Sequence, residues 1–177
     1  KFAVLFFAFL IVFFYVVYKF SYSSRTKTKI FEFELAYSKY LNKNQLDYCN
    51  SDKYSNTTVA DYFICSSYNP ISTGFLKYDY VSLGMIEKTI MNGCRYIELE
   101  ILDKDIKHDT IPVIAVGELD KRQITSQNYL ECNEVLDMIN TVAFSQKYIN
   151  NFNDPLFIFL NIKTKNNLTL DKLYDCI

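Results

Sequence analysis

One stretch of the chain has the pattern of an active-site loop but lacks a group suited to acid–base chemistry. Residues 61–74 read DYFICSSYNPISTG, an apolar strand-like segment that runs into a polar turn ending at Gly74. Enzymes built on β/α units place their reacting groups at such strand ends. The residue at the tip is Tyr68, whose phenol titrates near pH 10, so it is neither a base nor a strong acid at neutral pH.

The other residues that could do chemistry are few. The only histidine is His108, within the charged stretch DKDIKHDT, which is typical of a solvated loop. Glu98 and Glu100 stand two residues apart in the strand-like segment RYIELEIL, and a solvated or lysine-paired strand end is the simplest interpretation of them. Five cysteines with no CxxC pair argue against a disulfide framework or a zinc site and favour free thiols. A formal net charge of −1 leaves no basic face for nucleic acid.

Alternating strand and helix patterns position these residues. We predict strands at 62–67, 95–102, 111–117 and 156–164, and helices at 82–93, at 126–144 and from 169 onwards. Strands separated by helices imply parallel β/α units. About four such units amount to a half TIM-type β/α barrel. Its open edges would need more chain, a partner or a second copy to cover them.

An uncharged run precedes this part of the chain. Residues 2–18 carry no charge and lie between Lys1 and Lys19, which predicts a transmembrane anchor over residues 1–19. A cleavable signal peptide is the alternative, but its apolar region is usually shorter and ends at small residues. The basic residues that follow the run place the remaining chain on the cytosolic side: Lys19, Arg25, Lys27 and Lys29. We expect a juxtamembrane linker or loop over 20–59, in which 30–41 could be helix or strand, and a β/α domain over 60–177.

Five segments, in this order, resemble the X region of phosphoinositide-specific phospholipase C. They are YFICSSYN with its following STG, GCRYIELEILD, PVIAVG, EVLDMINTVAF and DPLFIFLNIK. The resemblance covers about residues 60–177 and implies a phospholipase C-like phosphodiesterase fold. It also implies cleavage of an inositol lipid by two histidines and a Ca²⁺ ion.

Carried over residue by residue, the resemblance implies a degenerate site. The two histidine positions hold Tyr68 and Val116, so no catalytic residue is assigned. The Ca²⁺-ligand positions hold Asn69, Glu98, Glu100 and Asn161, which keep oxygen ligands but lose one charge. We therefore expect no resident cofactor, with Ca²⁺ as the one candidate. Loss of one acid–base group typically lowers a rate by about 10²–10⁴.

These features predict a membrane-anchored, catalytically inactive phospholipase C-like domain with a structural or scaffolding role and protein partners. Short anchored chains of this kind are similar to proteins of large DNA viruses, and the Asn, Lys, Ile, Tyr and Phe content suits an AT-rich genome. The more specific expectation is a single-pass virion membrane or minor capsid-associated protein whose domain faces the cytosol or the virion shell. One alternative is a phosphodiesterase that uses Tyr68, His108 or Lys163. The other is an inositol-phosphate headgroup-binding module with Asn69, Lys163 and Lys165.

Overall fold

The computed structural model describes residues 2–41, 57–104, 110–118 and 123–177. His108 and residues 42–56 of the linker or loop predicted over 20–59 lie outside the described residues. A long helix α1 (Phe2–Leu41) and a short 3₁₀ turn (Val59–Asp61) precede the domain. The domain contains the strands β1 (Ser66–Tyr68), β2 (Tyr96–Asp103), β3 (Pro112–Ile114), β4 (Gly117–Glu118), β5 (Gln123–Ile124), β6 (Leu130–Glu131) and β7 (Phe157–Ile162). Its helices are α2 (Leu83–Met91), α3 (Cys132–Ala143) and α4 (Asn167–Cys176).

The main sheet is mixed, with β2 at its centre. β1 and β7 run parallel to β2 on opposite sides of it, with Tyr68 beside Glu98 and Asn161 beside Glu100. β3 runs antiparallel to the carboxyl end of β2, and β6 runs antiparallel to β3. β4 and β5 form a separate two-stranded hairpin.

The prediction of four parallel strands is wrong for the third segment. β3 is antiparallel because residues 104–111 are too few to form the helical crossover that a parallel neighbour needs, which takes about a dozen residues or more. The described domain therefore has three parallel strands. Its sheet is mixed, so the structure does not show the expected half-barrel of about four strand–helix units.

Helix α2 forms where the sequence predicts it. The Ser82 hydroxyl accepts a hydrogen bond from the Gly84 amide at 3.2 Å, which caps the first turn. Gly93 lies beyond the helix end with a φ of 89°, a conformation that favours glycine. Helix α3 begins six residues later than the predicted 126, because the preceding segment is extended. In that segment the side-chain amide of Asn128 accepts from the Val81 N–H at 2.8 Å and donates to the Val81 carbonyl at 2.9 Å.

The core lies between the sheet and helices α2 and α3. Ile97, Leu99 and Ile101 of β2 are fully buried there together with side chains of both helices. Because successive strand residues point to opposite faces, Glu98 and Glu100 are directed away from this core. The described cysteines are free thiols: Cys94 and Cys132 are buried, Cys176 is partly buried and Cys65 is exposed.

Helix α1 has two different halves. Its most apolar window has a mean hydropathy of 2.4 and none of it is buried, which suits a membrane span, although a signal sequence has the same character. The helix continues unbroken through 20–41, where we expected a linker. There it packs on the domain. The Tyr22 and Tyr80 ring centroids lie 4.9 Å apart, and a Cβ on Gly84 would lie 2.7 Å from Ile30 Cδ1.

Candidate functional site

The polar side chains singled out in the sequence meet at the carboxyl ends of β1 and β7, beside the middle of β2. Pairing in register places Tyr68 next to Glu98, and Glu100 next to Asn161. Asn69 follows directly, and its backbone N–H donates to the Glu98 carbonyl at 2.9 Å. The structure therefore brings together all four of the predicted Ca²⁺-ligand positions and the first histidine position.

Glu100 is the centre of the site and is almost completely buried, at 1 % exposure. Its Oε1 accepts hydrogen bonds from the Tyr68 hydroxyl and from Lys163 Nζ, the latter at 2.8 Å. Its Oε2 accepts from the Gly117 amide at 2.9 Å. Burial alone would raise the pKa of Glu100, but the bonds from Lys163, Tyr68 and Gly117 outweigh it and hold the pKa below its usual value.

Tyr68 acts in this site as a neutral hydrogen-bond donor. Burial, the hydrogen bond to Glu100 and the charges of Glu100 and Glu98 raise the pKa of Tyr68 to about 12. Each of these effects disfavours the phenolate, since negative charge already lies beside the hydroxyl. The residue is therefore less suited to proton exchange at neutral pH than a free phenol.

Val116, at the second histidine position, is 5 % exposed and contributes only backbone groups. Its carbonyl accepts from the Thr125 and Ser126 amides at 2.7 and 3.2 Å, which holds the start of the β4–β5 hairpin. The next residue must be small, because a Cβ on Gly117 would collide with the Leu102 side chain and lie 2.9 Å from the Gln123 carbonyl.

Asn69 is strained and has an unsatisfied side chain. Its φ is 45°, in the left-handed region, and the residue is 2 % exposed. Neither polar atom of its side-chain amide, Nδ2 or Oδ1, has a hydrogen-bond partner within the described part of the chain. Asn69 lines a groove of about 440 Å³ between the loop after β1 and helix α1, to which Lys29, Glu32 and Phe33 contribute.

The residues present do not fit a Ca²⁺ ion. Ca²⁺ takes six to eight oxygen ligands, whereas both oxygens of Glu100 already accept hydrogen bonds and one of them contacts an ammonium. Asn161 directs its Nδ2 toward Glu98 Oε1 at 3.5 Å. No cluster of three or more His, Cys, Asp or Glu suited to a metal occurs among residues 2–41, 57–104, 110–118 and 123–177.

Lys163 is the site residue whose role the sequence interpretation did not define. For Glu100 the simplest interpretation from the sequence, a carboxylate paired with a lysine, is the one that the structure shows. The lysine is Lys163. A signal was present, because Asn161 and Lys163 stand two residues apart in the strand predicted at 156–164 and so share a face. Lys165, the other lysine considered, is exposed.

The domain thus collects polar side chains at the carboxyl ends of parallel strands, the edge at which α/β folds place their functional sites. Residues 55–171 match the family model described as phosphatidylinositol-specific phospholipase C, X domain, and since this is more than half of the chain, the chain belongs to that family. The family predicted from the sequence is confirmed. None of the curated protein sequences matches the chain.

Proposed function

We propose that this chain is a membrane-anchored phospholipase C-like protein that is catalytically inactive and serves as a scaffold. The observation that carries the proposal is the chemistry at the two histidine positions. Tyr68 is fixed as a donor to Glu100 with a pKa raised to about 12, and Val116 is a buried aliphatic residue. Proton transfer near neutral pH needs a group with a pKa close to 7, and neither residue supplies one.

The test of inactivity is a phosphodiesterase assay on the full chain in lipid vesicles that contain phosphatidylinositol bisphosphate. We expect no inositol phosphate release above a protein-free blank, with either CaCl₂ or EDTA. A Glu98→Gln variant controls for contaminating activity. Turnover by the native chain that this variant abolishes would refute the proposal and favour an enzyme with atypical catalytic residues.

The anchor is supported by the exposed apolar half of α1. About 26 Å of helix over residues 2–18 is close to the thickness of a bilayer's hydrocarbon core, about 30 Å. We expect the chain to remain in the membrane pellet after alkaline carbonate washing and to be released when residues 2–18 are deleted. A signal sequence would instead be removed on secretion, leaving a soluble mature chain.

Protein partners are supported by the outer edge of β7. Among the described strands β7 pairs with β2 alone, and Ile158, Phe159 and Ile162 are exposed along it. An edge strand with exposed apolar side chains favours pairing with another strand. We expect Phe159→Lys to weaken self-association of the solubilised chain in sedimentation. Tyr174→Lys, at an exposed position on α4, is the matched control.

The specific scaffold role that we propose is to hold an internal virion membrane against its protein shell. It is supported by the single apolar helix joined to an inactive domain and by the Asn, Lys, Ile, Tyr and Phe content. We expect the protein in purified, membrane-containing particles of the virus that encodes it. Its absence from such particles would refute this role and leave the anchored scaffold standing.

A second candidate function is recognition of an inositol phosphate headgroup, which the unsatisfied Asn69 amide favours. A buried side-chain amide without partners has two N–H donors and two acceptor lone pairs to offer a ligand. Calorimetry with inositol trisphosphate tests this: heat that Asn69→Ala abolishes would support a binding module. A scaffold alone should give no heat.

A further inference from the structure

Glu100 and Lys163 form a buried ion pair with a defined backbone partner. Their side chains are 1 % and 11 % exposed, and Nζ lies 2.8 Å from Oε1. Lys163 Nζ also donates to the Gly117 carbonyl at 2.7 Å, and the Gly117 amide donates to Glu100 Oε2 at 2.9 Å. These three bonds close the Lys163–Glu100–Gly117 ring.

The ring involves Glu100, one of the residues that the resemblance implies as a Ca²⁺ ligand. A Ca²⁺ ion lies 2.3–2.6 Å from its oxygen ligands, and the ammonium already lies at 2.8 Å from one oxygen of the central carboxylate. Two cations cannot share that oxygen at such distances without strong mutual repulsion. Binding of Ca²⁺ would also require Glu100 to give up its bonds to Lys163 and to the Gly117 amide.

Lys163 is held in this place by the sheet rather than by chance contact. It follows directly on β7, and its amide donates to the Ile101 carbonyl at 2.8 Å, which continues the pairing of β7 with β2. The side chain shares a strand face with Asn161, the neighbour of Glu100 in register. The pairing of β7 with β2 therefore places the Lys163 ammonium beside Glu100.

We propose that the Lys163 ammonium takes the place of the divalent cation, so that this site is held together by an internal cation and does not respond to Ca²⁺. The ring neutralises Glu100, satisfies both of its oxygens and fixes Gly117 at the start of the β4–β5 hairpin. The inference concerns the site alone and stands whether or not the chain is a scaffold.

The first test uses the native full chain in nanodiscs. Acetylation of lysines, followed by mass spectrometry, should modify Lys165 quickly and Lys163 slowly, to the same extent in EDTA and in millimolar CaCl₂. Calcium should leave the thermal midpoint unchanged. A Ca²⁺-dependent rise of the midpoint that Glu100→Gln removes, or Ca²⁺-dependent labelling of Lys163, would overturn the proposal.

The second test removes the internal cation. Lys163→Met leaves Glu100 buried without its counter-ion, so we expect a lower thermal midpoint in EDTA and a rise on adding CaCl₂. Lys165→Met changes the net charge equally and should do neither. If Lys163→Met does not fold, the double variant Lys163→Met with Glu100→Gln, which removes both charges, should fold. Its thermal midpoint should not change on adding CaCl₂. A Lys163→Met chain with an unchanged midpoint, or a calcium response in Lys165→Met, would contradict the proposal.

Discussion

Tyr68 contributes one hydrogen bond to this site, and its environment prevents it from contributing a proton. The phenol faces two carboxylates, Glu100 and Glu98, which together with burial raise its pKa to about 12. At a position where the resemblance implies a catalytic histidine, Tyr68 thus donates a hydrogen bond to Glu100. Its contribution can be separated from that of Lys163 because Glu100 keeps two other donors when the hydroxyl is removed.

We expect Tyr68→Phe to lower the free energy of unfolding by about 1 kcal/mol at neutral pH, since it removes one donor from a charged acceptor at a half-exposed position. The raised pKa of Tyr68 stabilises the fold below the unfolded phenol pKa near 10, and this contribution is lost as the pH rises toward 12. The native and variant chains should therefore converge in urea denaturation above about pH 10. A constant difference across that range would contradict the assignment.

Glu100 has the opposite pH dependence. Because its pKa in the folded chain is lowered, the carboxylate stabilises the fold above its unfolded pKa near 4.3, and the contribution is lost as the pH falls below that value and through the lower folded pKa. We expect Glu100→Gln to be less stable than the native chain at neutral pH, with the difference in stability narrowing as the pH falls below about 4.3. Glu87→Gln, at a partly exposed position on α2, is the matched control because it removes the same charge outside the site.

At the scale of the elements, Asp103 joins the end of β2 to the start of α4. It is 7 % exposed, and its carboxylate accepts from the Thr164 hydroxyl at 2.7 and 2.8 Å and from the Thr169 hydroxyl at 2.6 Å. Hydrogen bonds to a charged group each contribute about 1.5–3 kcal/mol. The cluster therefore positions α4 against the sheet edge that carries the site.

We expect Asp103→Ala to lower the free energy of unfolding by about 3 kcal/mol, because it leaves two buried hydroxyls without their acceptor. Hydrogen exchange should show faster opening of α4 than of α2. Asp171→Ala, on α4 itself and exposed, is the control and should change stability by less than about 0.5 kcal/mol. Equal effects of the two substitutions would show that the Asp103 cluster does not hold α4.

Local sequence features predicted the helices and strands, but they did not predict which segments pair with one another. Ser82 and Gly93 marked helix α2 because caps are local features. The direction of β3 and the extended segment around Asn128 depend on partners far along the chain, so the 111–117 and 126–144 predictions failed there. The eight-residue connection after β2 was the one local clue to an antiparallel neighbour.

The candidate site, like the fold, could be predicted from the sequence only in part. The positions of Tyr68, Asn69 and Glu98 at one strand edge follow from the order of the segments, and the structure brings them together. The pairing of Lys163 with Glu100 depends on the register between β2 and β7, which no single segment encodes. The resemblance therefore implied which residues lie at this edge, while the contact between Lys163 and Glu100 could not be predicted from the sequence.

At the scale of the whole molecule, α1 joins the apolar run to the domain as one continuous helix. Tyr80, 8 % exposed, contacts Tyr22 at 4.9 Å and Tyr18 at 6.4 Å between ring centroids. The Glu34–Lys88 ion pair at 2.7 Å adds a contact to α2 further along the helix. If residues 2–18 span the bilayer, these contacts hold the domain close to the membrane surface.

We expect Tyr80→Ala to release the second half of α1 from the domain, because two aromatic contacts worth about 0.5–1.5 kcal/mol each are lost along with buried ring area. Hydrogen exchange in nanodiscs should rise in residues 22–34 and stay low in residues 2–18, where the bilayer protects the amides. Lys88→Ala should raise exchange in residues 22–34 only slightly, since exposed ion pairs contribute little. Tyr174→Ala, at a surface position remote in sequence from α1, should leave it unchanged. Unaltered exchange in the Tyr80→Ala chain would mean that the aromatic contacts do not hold α1 against the domain.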